Sequence, residues 1–110
     1  MLIIPFKEFP AFTEEITLDG RPYKLTFIWN TRGEFWSLSF YTRQDVHIAA
    51  IKLVLNYELI DRYPDYNLPP GRLYVIDTTR DFSPIGRYDF TNDRDLNLVY
   101  VSEAEVEELI

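Results

Sequence analysis

Two stretches of the chain have large apolar side chains at every second position. From Tyr23 to Trp29 every second residue is aromatic or leucine, and from Trp36 to Phe40 serine occupies the two intervening positions. A period of two is that of a β-strand with one buried face. The pattern therefore predicts two strands in sequence, each with its aromatic side on a core.

Turn-forming residues lie between the predicted strands. Asp19-Gly20 lies between two strand-like runs, and this pair suits a type I′ hairpin turn, in which both central residues have positive φ. Pro22 follows near the start of the next strand, a position that tolerates its missing N–H. A second turn at Asn30–Gly33 predicts a second hairpin.

The later half of the chain is less periodic. Val46–Leu55 is almost continuously apolar, which fits a central strand buried on both faces or a short helix; its Val, Ile and Leu content favours the strand. Leu73–Ile76 and Leu96–Val101 predict two more strands. Pro70-Gly71 fits the central positions of a type II turn.

The C-terminal segment predicts a short acidic helix. Ser102 and Glu105 have the spacing of a capping box, which opens a helix from Glu103 to Leu109 within the tail 102–110. With about six or seven strands before it, the chain is predicted to be a single all-β domain over residues 1–110. We expect a small antiparallel partly closed barrel or sandwich with a short C-terminal helix.

The first thirteen residues form an apolar N-terminal arm. Pro5 and Pro10 exclude a regular helix and impose an extended path. The arm then lies as a strand over the domain's own core, which we favour, or it covers a neighbouring subunit. Its expected subunit contacts are Ile3, Ile4, Phe6 and Phe9.

Residues 77–95 predict a long polar loop, and loops of this length in a small domain are often functional. Acidic and basic side chains alternate in it. In such a pattern we expect the arginines to neutralise the neighbouring carboxylates or to pair with carboxylates across a subunit interface, rather than to leave them for acid–base catalysis. Its expected interface residues are Arg80, Asp81, Arg87 and Arg94.

Charge and composition argue against several classes of function. The formal net charge of −7 disfavours specific nucleic-acid binding, which depends on Lys and Arg displacing counterions. The chain has no cysteine, which excludes disulfides, thiolate metal sites and a cysteine nucleophile. It lacks a secretory signal pattern and an apolar run of about 20 residues. We therefore expect a soluble protein without membrane insertion.

Catalytic and metal-binding motifs are weak. His47 is the single histidine, so a multi-histidine metal site is excluded. Asp93–Asn97 resembles the opening of a calcium loop, but Leu98 and Ala104 replace its required glycine and glutamate. No glycine-rich phosphate loop is present. We expect no catalytic, cofactor-binding or metal-binding residue and no enzymatic activity.

A different class of function is a binding module for a peptide or glycan. In that interpretation Trp29 and Trp36 are exposed and act as stacking platforms on a soluble monomer. In the structural interpretation both indoles belong to the core. A tail assembly chaperone is a further alternative.

The order of the motifs resembles the baseplate plug family of contractile-tailed bacteriophages, over nearly the whole chain. The matching segments are MLIIP at the start, LDGRPY (Leu18–Tyr23), Trp29-Asn30, Phe35-Trp36, LPPGRLYVID (Leu68–Asp77) and LVYV (Leu98–Val101).

This resemblance implies a structural subunit of the virion tail baseplate, made in the host cytoplasm. It further implies that the subunit joins or seals the tail tube at the hub and spike, in a ring of three or six copies. The implied partners are the tail tube, hub and spike proteins and other copies of the chain. The family pattern implies no catalytic or cofactor residue.

Overall fold

A computed structural model describes residues 2–55, 58–60, 68–77, 85–87, 89–90 and 96–108. The described residues form seven strands and one helix: β1 Leu2–Ile4, β2 Ala11–Leu18, β3 Arg21–Asn30, β4 Phe35–Thr42, β5 His47–Lys52, β6 Arg72–Asp77, β7 Leu96–Val101 and α1 Glu103–Glu108. This confirms the all-β prediction with a short C-terminal helix.

The strands form two antiparallel sheets packed as a sandwich. One sheet has the order β2-β3-β4-β5 and the other the order β1-β7-β6. Apolar side chains from the inner faces of both sheets belong to one core cluster, as expected when two sheets pack face to face. Of the two predicted architectures, the sandwich is therefore the one found, and the sheets do not close into a barrel.

The core is dominated by the strands with period-two patterns. Trp36 is the largest fully buried side chain, and Phe27 and Phe40 are also fully buried. On the smaller sheet Leu73, Val75 and Leu98 face the same interior. The aromatic residues of the two period-two runs thus fill the space between the sheets.

The first hairpin has the predicted turn. Asp19 and Gly20 both have positive φ, 51° and 76°, and Leu18 pairs with Arg21 across the turn. Two positive φ values are the signature of a type I′ turn. Pro22 is the second residue of β3, at the start of the strand as predicted.

The second hairpin is confirmed, but its four-residue turn begins and ends one residue later than predicted. Asn30 pairs with Phe35, so the turn comprises residues 31–34. The Asn30 side-chain oxygen accepts from the Gly33 N–H at 2.9 Å, and the Asn30 carbonyl accepts from the Glu34 N–H at 2.8 Å. The residue with positive φ is Glu34, at 55°, and not Gly33.

The apolar run Val46–Leu55 contains an edge strand. The preference for a strand is confirmed by β5, but the central position is wrong, because β5 ends the larger sheet and pairs with β4 alone among the described strands. Burial on both faces is wrong as well. Ile51 faces the core, whereas His47 and Ala50 are exposed. A register shift near Phe40 and Tyr41 accompanies the pairing.

The type II turn predicted at Pro70-Gly71 is wrong, because Gly71 does not have the positive φ that this turn requires. Glycine is needed there for space. An added Cβ would overlap the carbonyl oxygen of Val101 and lie 2.6 Å from the Tyr100 hydroxyl oxygen. The requirement comes from a strand that is distant in sequence.

The capping box at the start of α1 is confirmed. The Ser102 hydroxyl accepts from the Glu105 N–H at 3.3 Å, and the Glu105 carboxylate accepts from the Ser102 N–H at 3.1 Å. These reciprocal bonds satisfy backbone donors that a helix start leaves unpaired. Across the described part of the chain, no helix has the length and apolar character needed to cross a membrane.

Candidate assembly surfaces

The N-terminal arm divides between core and surface. Ile4, on β1, is only 2% exposed and belongs to the core, whereas Ile3 and Phe9 are 58% and 60% exposed. Ile4 pairs with Leu98 of β7. Ile4 therefore has almost no surface for a second chain, while Ile3 and Phe9 remain available to one.

Phe6 anchors the arm through its aromatic contacts. Its ring centroid lies 4.8 Å from that of Phe27, 4.9 Å from that of Trp36 and 5.1 Å from that of Phe12, all edge-on. It also stacks on Phe90 at 4.1 Å. Since aromatic pairs in these geometries add to the energy of burial, the favoured interpretation holds here: this part of the arm covers the domain's own core.

The predicted polar loop is described only in part. Arg80, Asp81 and Arg94 lie outside the described residues. Arg87 lies above the Trp36 ring, with its guanidinium carbon 5.5 Å from the ring centroid. The Asp89 carboxylate accepts from the Gly86 N–H at 2.6 Å. Within the described part, the loop thus packs Arg87 against the domain's own fully buried Trp36.

The side of the smaller sheet that faces away from the core has apolar and aromatic residues beside Arg72 and Asn97. Ile3, Val99 and Tyr74 lie directly opposite one another on β1, β7 and β6. Ile76 is two residues after Tyr74 and therefore on the same side. Ile3 and Ile76 are 58% and 36% exposed, and Val99 is buried. We call Ile3, Tyr74, Ile76 and Val99 the apolar outer face.

The larger sheet has a more polar side facing away from the core. Thr13, Thr26, Ser39 and Ala50 form one cross-strand row over β2, β3, β4 and β5, and we call this row the hydroxyl outer face. The hydroxyls of Thr13 and Thr26 are hydrogen-bonded at 3.0 Å. Ile28, 47% exposed, lies on the same side of the sheet.

A hydrogen-bonded junction joins the two sheets, and we call it the Asp19 junction: Asp19, Gly71, Tyr100 and Glu103. The Tyr100 hydroxyl donates to the Asp19 carboxylate and accepts from the Gly71 N–H at 2.8 Å. The same carboxylate accepts from the Glu103 N–H at 3.1 Å. Burial, together with the bond to Asp19, raises the pKa of the Tyr100 hydroxyl. The junction therefore keeps this hydroxyl protonated as a donor.

A carboxylate faces inward on the edge strand β2. Glu14 occupies an inner-face position opposite Leu25 and is half-buried. Burial raises the pKa of Glu14, and the charge of Lys7 partly opposes this. Inward-pointing charges on edge strands discourage pairing with other chains.

Chemistry-bearing side chains are dispersed in the described part of the chain. His47 is exposed and lies edge-on to the Tyr41 ring, with centroids 5.1 Å apart. Among the described residues no group of three His, Cys, Asp or Glu side chains could hold a metal ion. Of the calcium-like segment Asp93–Asn97, only Leu96 and Asn97 are described, and both belong to β7.

Sequence reasoning missed most of the apolar outer face. The predicted strand Leu73–Ile76 carries no period that separates a core side from an exposed side, so the sequence does not place Tyr74 and Ile76 on an outer face. The pairing of β6 with β7 reveals the two sides. Tyr100 of the Asp19 junction was likewise only part of a predicted strand.

Comparison with known proteins gives one finding for nearly the whole chain. The family model described as "Cyanophage baseplate Pam3 plug gp18" matches residues 1–103. No curated protein matches the sequence. The matched segment contains all seven described strands and ends at the first residue of α1.

Proposed function

The chain belongs to the cyanophage baseplate plug family, and from this premise we propose that it joins or seals the tail tube at the hub and spike of an extended contractile tail. Membership confirms the resemblance predicted from the motif order. It makes the protein a structural component of the virion tail baseplate. The finer position at the tube, hub and spike is the proposed step.

The observation that carries the proposal is the apolar outer face. Ile3 and Ile76 are exposed on the side of the smaller sheet that faces away from the core. Exposed apolar side chains gathered on one face are typical of a surface that another protein covers. We propose that a neighbouring baseplate protein covers this face, together with the exposed Phe9 of the arm.

We further propose that copies of the chain form a closed ring. A head-to-tail ring needs two unlike, complementary surfaces on each subunit. The exposed arm residues Ile3 and Phe9 and the loop 77–95, with its alternating charges, are two unlike surfaces suited to such a contact. A ring of three or six copies is consistent with a position on the tail axis.

The proposed role is mechanical and involves no reaction catalysed by the chain. The single histidine is exposed and lies edge-on to a tyrosine ring. The carboxylate of Asp19 is occupied by structural hydrogen bonds. These placements support a structural role for the side chains that would otherwise be the first candidates for chemistry.

The experiment that tests this function is quantitative mass spectrometry of purified phage particles, counting the chain against the tube and spike proteins. Three or six copies per tail support a plug on the axis and fix its symmetry. Absence from particles in which the other tail proteins are detected overturns the proposal and favours an assembly chaperone.

The rival binding-module function needs two exposed tryptophans. Trp36 is fully buried, and Trp29 is half-buried against the core. Emission of Trp36, isolated in Trp29→Phe, that is shifted to the blue and resistant to quenchers would agree with this placement. Full quenching of both indoles by a soluble quencher would instead favour the binding module.

A further inference from the structure

A cleft lies at the end of the second hairpin. It has a volume of about 490 Å³ and is lined by Trp29, Thr31, Glu34, Ile85 and Gly86. Its size is within the range of roughly 300–1,000 Å³ found for small-ligand sites. The lining combines an indole, a carboxylate and a hydroxyl, which is a set suited to a cation with an apolar stem.

Trp29 offers an aromatic face that the described part of the chain leaves without a cation. Its indole packs edge-on against Trp36, with centroids 5.6 Å apart and planes at 63°, so its orientation is fixed. By contrast, Arg87 lies 5.5 Å from the Trp36 centroid and Lys52 lies 4.9 Å from the Phe35 centroid. The protein thus already pairs cations with the two neighbouring aromatic rings.

Glu34 is held in an unusual backbone conformation beside this indole. Three non-glycine residues in the described chain have positive φ: Asp19, Glu34 and Asp45. The carboxylates of Asp19 and Asp45 bond to Tyr100 and to Lys24, respectively. The exposed Glu34 carboxylate has no hydrogen bond or ion pair with another described residue. The positive φ of Glu34 belongs to the hairpin turn, in which its N–H donates to the Asn30 carbonyl, and this turn leaves Glu34 in the lining of the cleft.

We propose that this cleft binds an arginine or lysine side chain of another baseplate protein, with its cation between the Trp29 indole and the Glu34 carboxylate. The choice of partner rests on the proposed function, whereas the choice of side chain rests on the cleft. A net charge of −7 attracts basic segments and steers them toward an acidic site. An indole face and a carboxylate then select a cation over a neutral polar group.

The first experiment titrates the full chain with N-acetyl-arginine methylamide and follows the two tryptophan indole N–H resonances by NMR, assigned with Trp29→Phe. The matched probe is N-acetyl-citrulline methylamide, which has the same shape without the charge. We expect a saturable shift of the Trp29 resonance with the arginine probe only. Equal shifts with both probes, or none with either, would overturn the proposal.

A variant pair tests the carboxylate. Glu34→Gln is expected to weaken binding of the arginine probe at least fivefold. Glu15→Gln, which removes an exposed carboxylate outside the cleft, is expected to leave binding unchanged. Equal affinity in the wild type and Glu34→Gln would exclude the carboxylate as the binding group.

Glu34→Gly separates binding from folding. Glycine adopts positive φ without the steric cost that other residues bear, so this variant is expected to have an unchanged or higher Tm and to lose binding of the arginine probe. A lower Tm with binding retained would make Glu34 a structural turn residue and contradict the proposal.

The partner is tested separately in particles. In phage that carry Glu34→Gln, we expect fewer copies of the chain per particle, at a Tm equal to that of the wild type. If the wild-type chain is absent from particles but binds the arginine probe, the proposed baseplate function is overturned. The cleft is then still shown to bind an arginine side chain. If Glu34→Gln instead abolishes self-association in sedimentation velocity, the partner is a second copy and our choice of partner is wrong.

Discussion

The two sheets of the sandwich share one core but differ in the side that each turns away from it. The larger sheet places the hydroxyl outer face there, with Thr13, Thr26 and Ser39 in one row. The smaller sheet places Ile3 and Ile76 there, both exposed. Hydroxyls can exchange hydrogen bonds with water at little cost, whereas exposed apolar area favours burial. The comparison indicates that the smaller sheet is the stronger candidate for a protein contact.

The two edges of the smaller sheet indicate how a partner would bind it. Along β6, the Glu58 carboxylate accepts from the Leu73 N–H at 3.0 Å, and the Leu59 N–H donates to the Leu73 carbonyl at 2.9 Å. The opposite edge, β1, has three residues and is followed by Pro5. Covered or short edges resist strand addition. A partner is therefore expected to contact the outer face of this sheet rather than to extend it.

The largest expected effect comes from crowding the Asp19 junction at Gly71. Gly71→Ala would push a Cβ into the carbonyl oxygen of Val101 and toward the Tyr100 hydroxyl, and is expected to cost about 3 kcal/mol or more. Urea unfolding followed by tryptophan fluorescence measures this loss. Gly20→Ala is the control: its Cβ meets nothing within 4 Å, so only the positive φ costs about 1–2 kcal/mol. Equal losses in the two variants would contradict the close approach at Gly71.

The second-largest effect on stability is expected when tyrosine is replaced by phenylalanine on the inner side of the smaller sheet, with the same replacement on its outer side as the control. Tyr100→Phe removes the hydroxyl that bonds to Asp19 and Gly71, and is expected to lower the free energy of unfolding by about 1.5–3 kcal/mol. Tyr74→Phe, on the apolar outer face, removes a hydroxyl without a hydrogen bond to the described residues and is expected to change little. Chemical denaturation of both variants decides whether the junction, rather than the outer face, carries this stability.

Alkaline pH tests the same hydroxyl. Because the folded chain raises the pKa of Tyr100, the stability it contributes is complete below the unfolded pKa of about 10 and is lost as pH rises above it. The difference in stability between the wild type and Tyr100→Phe is therefore expected to shrink above about pH 10. A difference that stays constant from pH 7 to 11 would show that the hydroxyl ionises equally in both states.

A lysine introduced on each outer face in turn tests which of the two faces contacts a partner. Ile3→Lys is expected to reduce the copies of the chain in phage particles about tenfold, equivalent to about 1.4 kcal/mol of contact energy. Thr13→Lys, on the hydroxyl outer face, is expected to leave incorporation near the wild-type level. Both sites are exposed, so neither variant should shift stability by more than about 0.5 kcal/mol. Equal incorporation of the two variants would remove the preference for the apolar face.

The smallest expected effect on stability is that of Glu14, on the edge strand β2 of the larger sheet. Since burial raises the pKa of Glu14, the folded state favours its protonated form, and ionisation above the unfolded pKa of 4.5 costs stability. Glu14→Gln is expected to stabilise the chain by a few tenths of a kcal/mol at pH 7, and this gain should vanish as pH falls toward 4. Glu15→Gln, at the exposed neighbouring position, is the control; the same gain there would assign the effect to net charge.

Local patterns predicted much of the fold. The period-two runs gave β3 and β4, Asp19-Gly20 gave a type I′ turn, and Ser102 with Glu105 gave the helix start. Each of these depends on neighbours within a few residues. The interface residues were predicted less well, because Ile4 and Phe6 have the same apolar character whether they cover their own core or another subunit.

Contacts between distant segments decided the rest. The Tyr100 hydroxyl meets an Asp19 carboxylate 81 residues away and a Gly71 N–H 29 residues away, so no local pattern could show why Gly71 must be glycine. The edge position of β5 and the exposure of Ile76 also follow from strand order.

By itself, the sequence determined an acidic, all-β domain with two hairpins, a capped helix and the motif order of a baseplate plug, because turn preference, side-chain period and capping act locally. The tertiary structure alone decided which apolar residues stay outside. That outcome depends on which strands become neighbours and on which of their two sides faces the other sheet.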